Sequence, residues 1–539
     1  MGSKLLRGTF ILTVGTILSK VLGLIYVIPF YQIVGKQGTA LYNFGYVPYT
    51  IFISIATAGV PLAVSKFISK YNALEEYAVG RKLFKSGLVI MLTTGVAAFL
   101  IMYFIAPVLA EMSISGKKQS ISVDDVTTVI RAVSWALIVV PFMSLIRGYF
   151  QGHQSMGPSA VSQVVEQIVR VAFTLIGAYV VLKYMSGSMV SAVSVATFAA
   201  FIGAIGSLFI LFWYWYKRKP YLNELLEQDK GTLNISLMEI YKEIFIYAAP
   251  FVFVGIANPL FQSIDQFTFS KAMAEIGKSG PYATAAFSTL NFESHKIVII
   301  PVSLATAFSL TLVPSITQAF VNKDQKSMNH QINQTFQVML FLTLPAAIGL
   351  SLLAEPVYTV FYEHEALGTQ VLAAYAPVAI LFSLYSVTAA ILQGINEQRY
   401  TILSLLVGLL IKLALNIPLI KMMDTRGAVL ATALGYTSSI VINLIVIKIY
   451  SRYQFRFVWR RSLLIVIFAG VMWLGTEFVY KSLSLFLSPA SRVQSLILIL
   501  ISAGVGAGIY FYLGLKSGLA DKLFGHRIVR IKQKLKLPV

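Results

Sequence analysis

The chain has 539 residues, no cysteine, and a formal net charge of +21 from 43 Lys and Arg against 22 Asp and Glu. With 57% hydrophobic and only 12% charged residues, and a mean hydropathy of +0.76, it lies far from a soluble globular domain. The missing cysteines exclude disulfides, thiolate metal sites and cysteine nucleophiles; the scattered His residues show no metal-ligand spacing and no Gly-rich phosphate loop follows a strand pattern, so neither an enzyme nor a bound cofactor is expected.

The positive charge falls mainly between long apolar runs. Lys and Arg gather on the cytoplasmic links of membrane proteins, which explains the charge better than nucleic-acid binding does. The first run, 8–34, follows Lys4 and Arg7. It is too long for a signal-peptide core and lacks a small-residue cleavage site, so it reads as a retained first span, with Ser19 and Lys20 near its middle. Span 2 (44–68) is followed by Lys70, Arg81, Lys82 and Lys85. Spans 3 (84–109) and 4 (128–150) lead to span 5 (158–183), which holds Glu166 and Arg170. After span 6 (189–216) comes a link with Lys217, Arg218, Lys219 and Lys230. Span 7 (244–271) contains Asp265, and span 8 (286–316) contains Lys296. Span 9 (333–354) precedes a link with Glu355, Glu363 and Glu365 and no Lys or Arg. Span 10 (370–394) is followed by span 11 (401–422), with Lys412 and Asn416, and span 12 (428–449). Arg452, Arg456, Arg460 and Arg461 introduce spans 13 (460–483) and 14 (493–515), and a basic tail runs from Lys516 through Arg527, Arg530, Lys532, Lys534 and Lys536.

About fourteen spans, each long enough for a hydrocarbon core of roughly 30 Å, define an all-α polytopic membrane protein. An even number puts both termini on one side, and the charge bias makes that side cytoplasmic. A repeat divides the chain. Ser144, Gln151, Gly152 and Arg170 recur as Ser386, Gln393, Gly394 and Lys412 at a constant shift of 242, and Ser54-Ile-Ala-Thr-Ala58 is echoed by Ser303-Leu-Ala-Thr-Ala307. The expected organisation is an N-terminal six-helix lobe (1–216), a cytoplasmic linker (217–243), a second six-helix lobe (244–450), an appended helix pair (451–515) and a basic tail (516–539). Parallel repeats of this kind place a transport site at their interface, here a central cavity.

Lys20, Arg170, Lys296 and Lys412 are the most informative residues. Each lies about 10–12 residues into its span, roughly 15–18 Å deep at 1.5 Å per residue. A charge there costs about 2.5–3.5 kcal/mol on insertion scales and ordinarily faces a bundle interior or a water-filled cavity. Cations at one depth from both lobes point to an anionic substrate. Glu166 and Arg170, at i and i+4 with the acid first, have the favourable helical order. This pair is either structural or releases Arg170 to substrate in one state. The lysines are either paired across helices, with Asp265 an available partner, or left for ligand.

Arg147-Gly-Tyr-Phe-Gln-Gly-His-Gln-Ser-Met-Gly-Pro158, followed by Ser162-Gln-Val-Val-Glu-Gln-Ile-Val-Arg170, resembles the signature of Gram-positive polysaccharide-biosynthesis membrane proteins. That group includes MurJ-type lipid II flippases and sporulation relatives, within the multidrug/oligosaccharidyl-lipid/polysaccharide exporter superfamily. Ser19-Lys20-Val-Leu-Gly23 is similar to the flippase Ser-Arg-x-Leu-Gly, and His295-Lys296 with Pro301 is similar to the span 8 motif. The resemblance implies that Lys20 and Lys296 meet the pyrophosphate of lipid II. Tyr26 and Val27 stand where the Gram-negative pattern has Arg and Asp, and the Arg expected in span 2 is not evident; Arg170 and Lys412 are candidates to supply that charge. Some members hold Na⁺ between spans 7, 11 and 12, for which Asp265 and Asn416 are the nearest matches.

The expected function is therefore translocation of lipid II across the cell membrane by alternating access, by a monomer, driven by Na⁺ or the membrane potential. The lipid tail is expected in an apolar groove of spans 13–14. The runner-up is export of another lipid-linked polysaccharide precursor, or a sporulation-specific role. A cation-coupled multidrug antiporter would need an acid in its cavity, where span 1 offers Lys20. A scaffold for wall-synthesis enzymes leaves the buried cations unexplained.

Overall fold

The computed structural model describes residues 15–16, 18–57, 60–114, 121–232 and 236–524. The tail residues Arg527, Arg530, Lys532, Lys534 and Lys536 lie outside the described residues, as do Lys4, Arg7 and Ala58 of the Ser54–Ala58 echo. The described residues are almost entirely helical, with no strand among them. Hydrocarbon requires this, since it offers no partner to backbone N–H and C=O groups.

The chain forms two compact units, Met1–Ser288 and Thr289–Val539. The first contains α1 (Leu18–Ile25), α2 (Val27–Thr57), α3 (Val60–Ala73), α4 (Tyr77–Ser113), α5 (Val123–Ser134), α6 (Ala136–Gly152), α7 (Met156–Lys183), α8 (Met189–Glu227), α9 (Leu237–Glu275) and α10 (Gly280–Ser288). The second opens on a π-helical turn, Thr289–Ser294. It continues through α11 (His295–Val321), α12 (Gln325–Leu352), α13 (Ala354–Phe361), α14 (Ala366–Tyr375), α15 (Val378–Gly394) and α16 (Arg399–Met423). It ends with α17 (Thr425–Ser451), α18 (Arg456–Ser484), α19 (Arg492–Lys516) and α20 (Leu519–Phe524).

Among the described residues, 10 helices are long and apolar enough to cross a membrane, and 11 if the bent pair α1–α2 counts as one span. The 10 correspond to expected spans 3–6 and 9–14. Of the others, expected span 1 bends between α1 and α2, span 2 is divided between α2 and α3, span 8 contains the π turn, and span 7 lies within the continuous α9. Between α1 and α2 the axis bends by 40°. Pro29 explains the bend, because it has no N–H for the carbonyl of Ile25 and its ring crowds that oxygen. Gly35, at φ 62° and ψ −169°, breaks α2 where the sequence separates spans 1 and 2. A side chain would be strained there.

The 242-residue shift reappears in the backbone. Helices α6 and α15 each have 17 residues and end at Gly152 and Gly394. Past each end, Gln154 (φ 55°) and Asn396 (φ 61°) take left-handed conformations. Ser155 N–H donates to Phe150 O at 2.9 Å, and Glu397 N–H donates to Leu392 O at 2.8 Å. One helix-terminating motif is thus built twice, at corresponding positions.

The unit boundary at 288/289 differs from the linker boundary expected from the repeat, at 217–243. Contacts made by α9 and α10 account for the difference. Gln266 on α9 donates to Phe44 O (3.1 Å) and Ser113 Oγ (2.8 Å), and Phe287 on α10 stacks on Phe44 with centroids 4.5 Å apart.

Links of one parity meet at one end of each unit. In the first, Lys230 pairs with Glu75 at 2.8 Å, Ala78 N–H donates to Asp229 Oδ1 at 2.8 Å, and Arg81 donates to Asn223 Oδ1 at 2.7 Å. The basic links after spans 2 and 6 are therefore clasped together. In the second, Gln325 donates to Ser451 O at 2.7 Å, and Tyr400 and Tyr450 share a 2.6 Å hydrogen bond. At the opposite parity, Tyr480 donates to Glu355 Oε2 at 3.1 Å, and Arg492 donates to Tyr362 O.

Candidate functional site

In the first unit, α1 lies along α7. Thr16 Oγ1 is 3.3 Å from Gln163 Oε1, and a Cβ added to Gly23 would be 3.1 Å from Gln167 Nε2. Lys20 is exposed on this helix and has no hydrogen bond or ion pair with any described residue. Ser19 is buried and donates to Gly15 O at 2.9 Å, so its hydroxyl is engaged within its own helix.

Glu166 and Arg170 do not pair with each other. Glu166 Oε2 accepts from Arg147 Nη2 at 2.7 Å. Arg147 also donates through Nε to Ser162 Oγ (2.9 Å) and through Nη2 to Ser207 Oγ (2.8 Å). Ser162 and Glu166 are one turn apart on α7, so the guanidinium arriving from α6 meets both and reaches α8. One charge-assisted contact holds Glu166, and the two serine contacts fix the guanidinium that makes it.

Arg170 turns to α2. Its Nη2 donates to Tyr46 OH at 2.7 Å and lies 3.4 Å from Tyr42 OH, with the guanidinium 5.2 Å from the Tyr46 ring centroid. Tyr42 and Tyr46 stack at 5.3 Å, Tyr46 meets Tyr49 at 5.4 Å, and Phe30 links Tyr42 to Tyr26. Arg170 of α7 thus rests on a cluster of aromatic rings carried by α2. No carboxylate pairs with Arg170 among the described residues. Asp265 is buried on α9 in this same unit.

In the second unit, Lys296 follows the π turn and its Nζ lies 5.8 Å from the Phe292 ring centroid. Lys412 is buried on α16 and donates to Thr432 Oγ1 on α17 at 2.8 Å. His295 hydrogen-bonds Tyr375 OH at 3.0 Å and is within Coulombic reach of both Lys296 and Lys412. These two cations therefore share one neighbourhood. Asn416 is buried one turn beyond Lys412.

Two charged groups escape the sequence reading. Arg147 is visible there only as part of a loop motif, although it too is a cation at the end of an apolar run. Glu293, fully buried, stands three residues before Lys296 and is the acid nearest to it in sequence. Tyr358 OH donates to its carboxylate, and Tyr362 OH donates to its carbonyl at 3.0 Å. Gly368 admits the Tyr358 ring, since a Cβ there would lie 2.0 Å from it. π turns concentrate at functional sites.

An apolar cavity of about 400 Å³ opens between α11, α12, α18 and α19, lined by Pro301, Phe341, Pro345, Met472, Ala503 and Tyr510 among others. Among the described residues, no group of three or more His, Cys, Asp and Glu is placed to hold a metal ion.

Residues 5–320 match the family model described as polysaccharide biosynthesis protein, and residues 258–418 match that described as MatE. In sequence the chain is 49% identical over 534 residues to the lipid II flippase MurJ of Bacillus subtilis (strain 168), covering 98% of each. In fold it is similar to a lipid II flippase MurJ in an inward closed conformation, with a TM-score of 0.66 at 16% identity, over 95% of this chain and 99% of that one. It is also similar to an inward-facing multidrug resistance MATE family transporter, with a TM-score of 0.61 at 15% identity, over 80% and 94%.

Proposed function

We infer function from descent: the chain belongs to the polysaccharide biosynthesis protein family, and within it to the MurJ-type lipid II flippases. It is a multi-pass membrane protein that translocates lipid II, the undecaprenyl-pyrophosphate-linked peptidoglycan precursor, by alternating access. The observation that carries this is the 49% identity to a lipid II flippase along 98% of both chains.

In this reading the cations Lys20, Arg170, Lys296 and Lys412 are the groups that meet the pyrophosphate. Ammonium and guanidinium groups make their strongest hydrogen bonds to phosphate oxygens in a low-dielectric site. Glu166 and Ser19 serve by shaping α7 and α1 rather than by touching substrate, which fits the bonds they make. The lobes, 1–216 and 244–450, rock around the site. The apolar cavity beside α18 and α19 takes part of the lipid tail, which keeps hydrocarbon out of the charged site. Both termini face the cytoplasm, where the basic links are held. Na⁺ or the membrane potential drives the cycle; Asp265 and Asn416, buried oxygen-bearing side chains, suit a hard cation. The working unit is a monomer with no enzymatic activity.

The test is replacement. A strain depleted of its own lipid II flippase should grow when this chain is expressed. Lysis despite normal membrane levels would refute the reading.

A further inference from the structure

Arg147 makes a polar network with three side chains of the first unit, yet it contributes no charge to the proposed site. Its guanidinium is engaged through Nε and Nη2 by Glu166, Ser162 and Ser207, drawn from α7 and α8. The consequence falls one helical turn away. Glu166 and Arg170 have the spacing at which an acid and a base pair along a helix. With Glu166 held by Arg147, Arg170 keeps only neutral partners, Tyr46 OH at 2.7 Å and Tyr42 OH at 3.4 Å. A phenol yields to a phosphate oxygen far more readily than a carboxylate does, because the ion pair would have to be broken in low dielectric.

The packing enforces this division. Gly203 of α8 sits against α7 where the two side chains part, with an added Cβ only 2.9 Å from both Glu166 O and Arg170 Cβ. Ser207, one turn further along α8, then meets Arg147. The helices α6, α7 and α8 thus carry a device for keeping an acid away from a base on the same helix.

We propose that Arg147 is a positioning residue of the transport site: by sequestering Glu166 it leaves Arg170 without a carboxylate partner and able to bind the anionic head of the substrate. The proposal rests on the functional reading above. It assigns Glu166 the opposite role from a substrate contact, since its carboxylate is harmful to binding whenever it is released.

The test uses the purified full chain and undecaprenyl pyrophosphate as probe. Affinity is measured per folded molecule, well below the unfolding midpoint of every variant. The parent should bind and Arg170→Gln should bind at least tenfold more weakly; if the parent does not bind, the functional reading fails and the inference with it. Arg147→Gln should also lose at least tenfold, because Glu166 swings to Arg170. Adding Glu166→Gln to Arg147→Gln should restore affinity to within about threefold of the parent, and Glu166→Gln alone should bind like the parent. A merely structural staple would move the unfolding midpoint of these variants and leave the affinity of the folded fraction unchanged. Parent-like affinity in Arg147→Gln, or no recovery in the double variant, would overturn the proposal while leaving the functional reading intact. If Arg147→Gln fails to reach the membrane, Arg147→Lys carries the test: a weaker affinity per folded molecule that is restored by adding Glu166→Gln supports the proposal, and parent-like affinity in Arg147→Lys overturns it.

Discussion

Cations within the spans are held in different ways, and the differences predict different phenotypes. Lys412 is buried against Thr432, so Thr432→Val removes one acceptor from a buried charge. We expect a loss of about 1–3 kcal/mol in stability, read as a lowered unfolding midpoint in detergent. Lys296 is less buried, beside the π turn. Lys296→Ala should abolish rescue of a flippase-depleted strain at normal membrane levels, whereas Lys296→Arg should keep partial function, since charge persists but a compact ammonium becomes a planar fork. Full rescue by the Ala variant would show the charge to be dispensable. The positions of these cations are legible in the sequence because charge in an apolar run is conspicuous. Their partners are not. Helical spacing names Glu166 as the neighbour of Arg170, but only the third helix reveals Arg147 as the stronger claimant.

Hydropathy marks a helix well where the run is continuous, as in α4, α7, α8, α16 and α19. It is silent on backbone breaks. Tyr26 and Pro29 break span 1 and the π turn at Thr289–Ser294 breaks span 8 without lowering their apolar content, and Gly35 breaks α2 between spans 1 and 2. The repeat is more legible than its short matches suggest, because Gln151-Gly152 and Gln393-Gly394 end their helices with one and the same motif. Close approach between helices rests on single glycines. Gly203→Ala places a Cβ 2.9 Å from backbone and Cβ atoms of α7, so α7 and α8 must separate. Overpacking of this kind costs typically about 1–3 kcal/mol. The unfolding midpoint should fall and transport should weaken with it, whereas Gly157→Ala, with nothing within 4 Å, should leave both unchanged.

Across the whole molecule, the basic links and the acidic link make a topology that chemistry can read. The chain has no cysteine, so single cysteines report their own side of the membrane. A cysteine at Leu225, in the basic link after span 6, should resist an impermeant thiol reagent in intact cells, and one at His364 should react. The reverse pattern would invert the topology. The central claim is that this two-unit helical protein moves a lipid-linked pyrophosphate outward by means of cations inside its spans. The most direct test is the amount of lipid II on the outer face of cells depleted of their own flippase, measured with a probe that does not cross the membrane. The account predicts that the parent chain restores outer-face lipid II and that Lys296→Ala, equally abundant in the membrane, does not. Lipid II left on the inner face by the parent chain, or equal restoration by both, would contradict it.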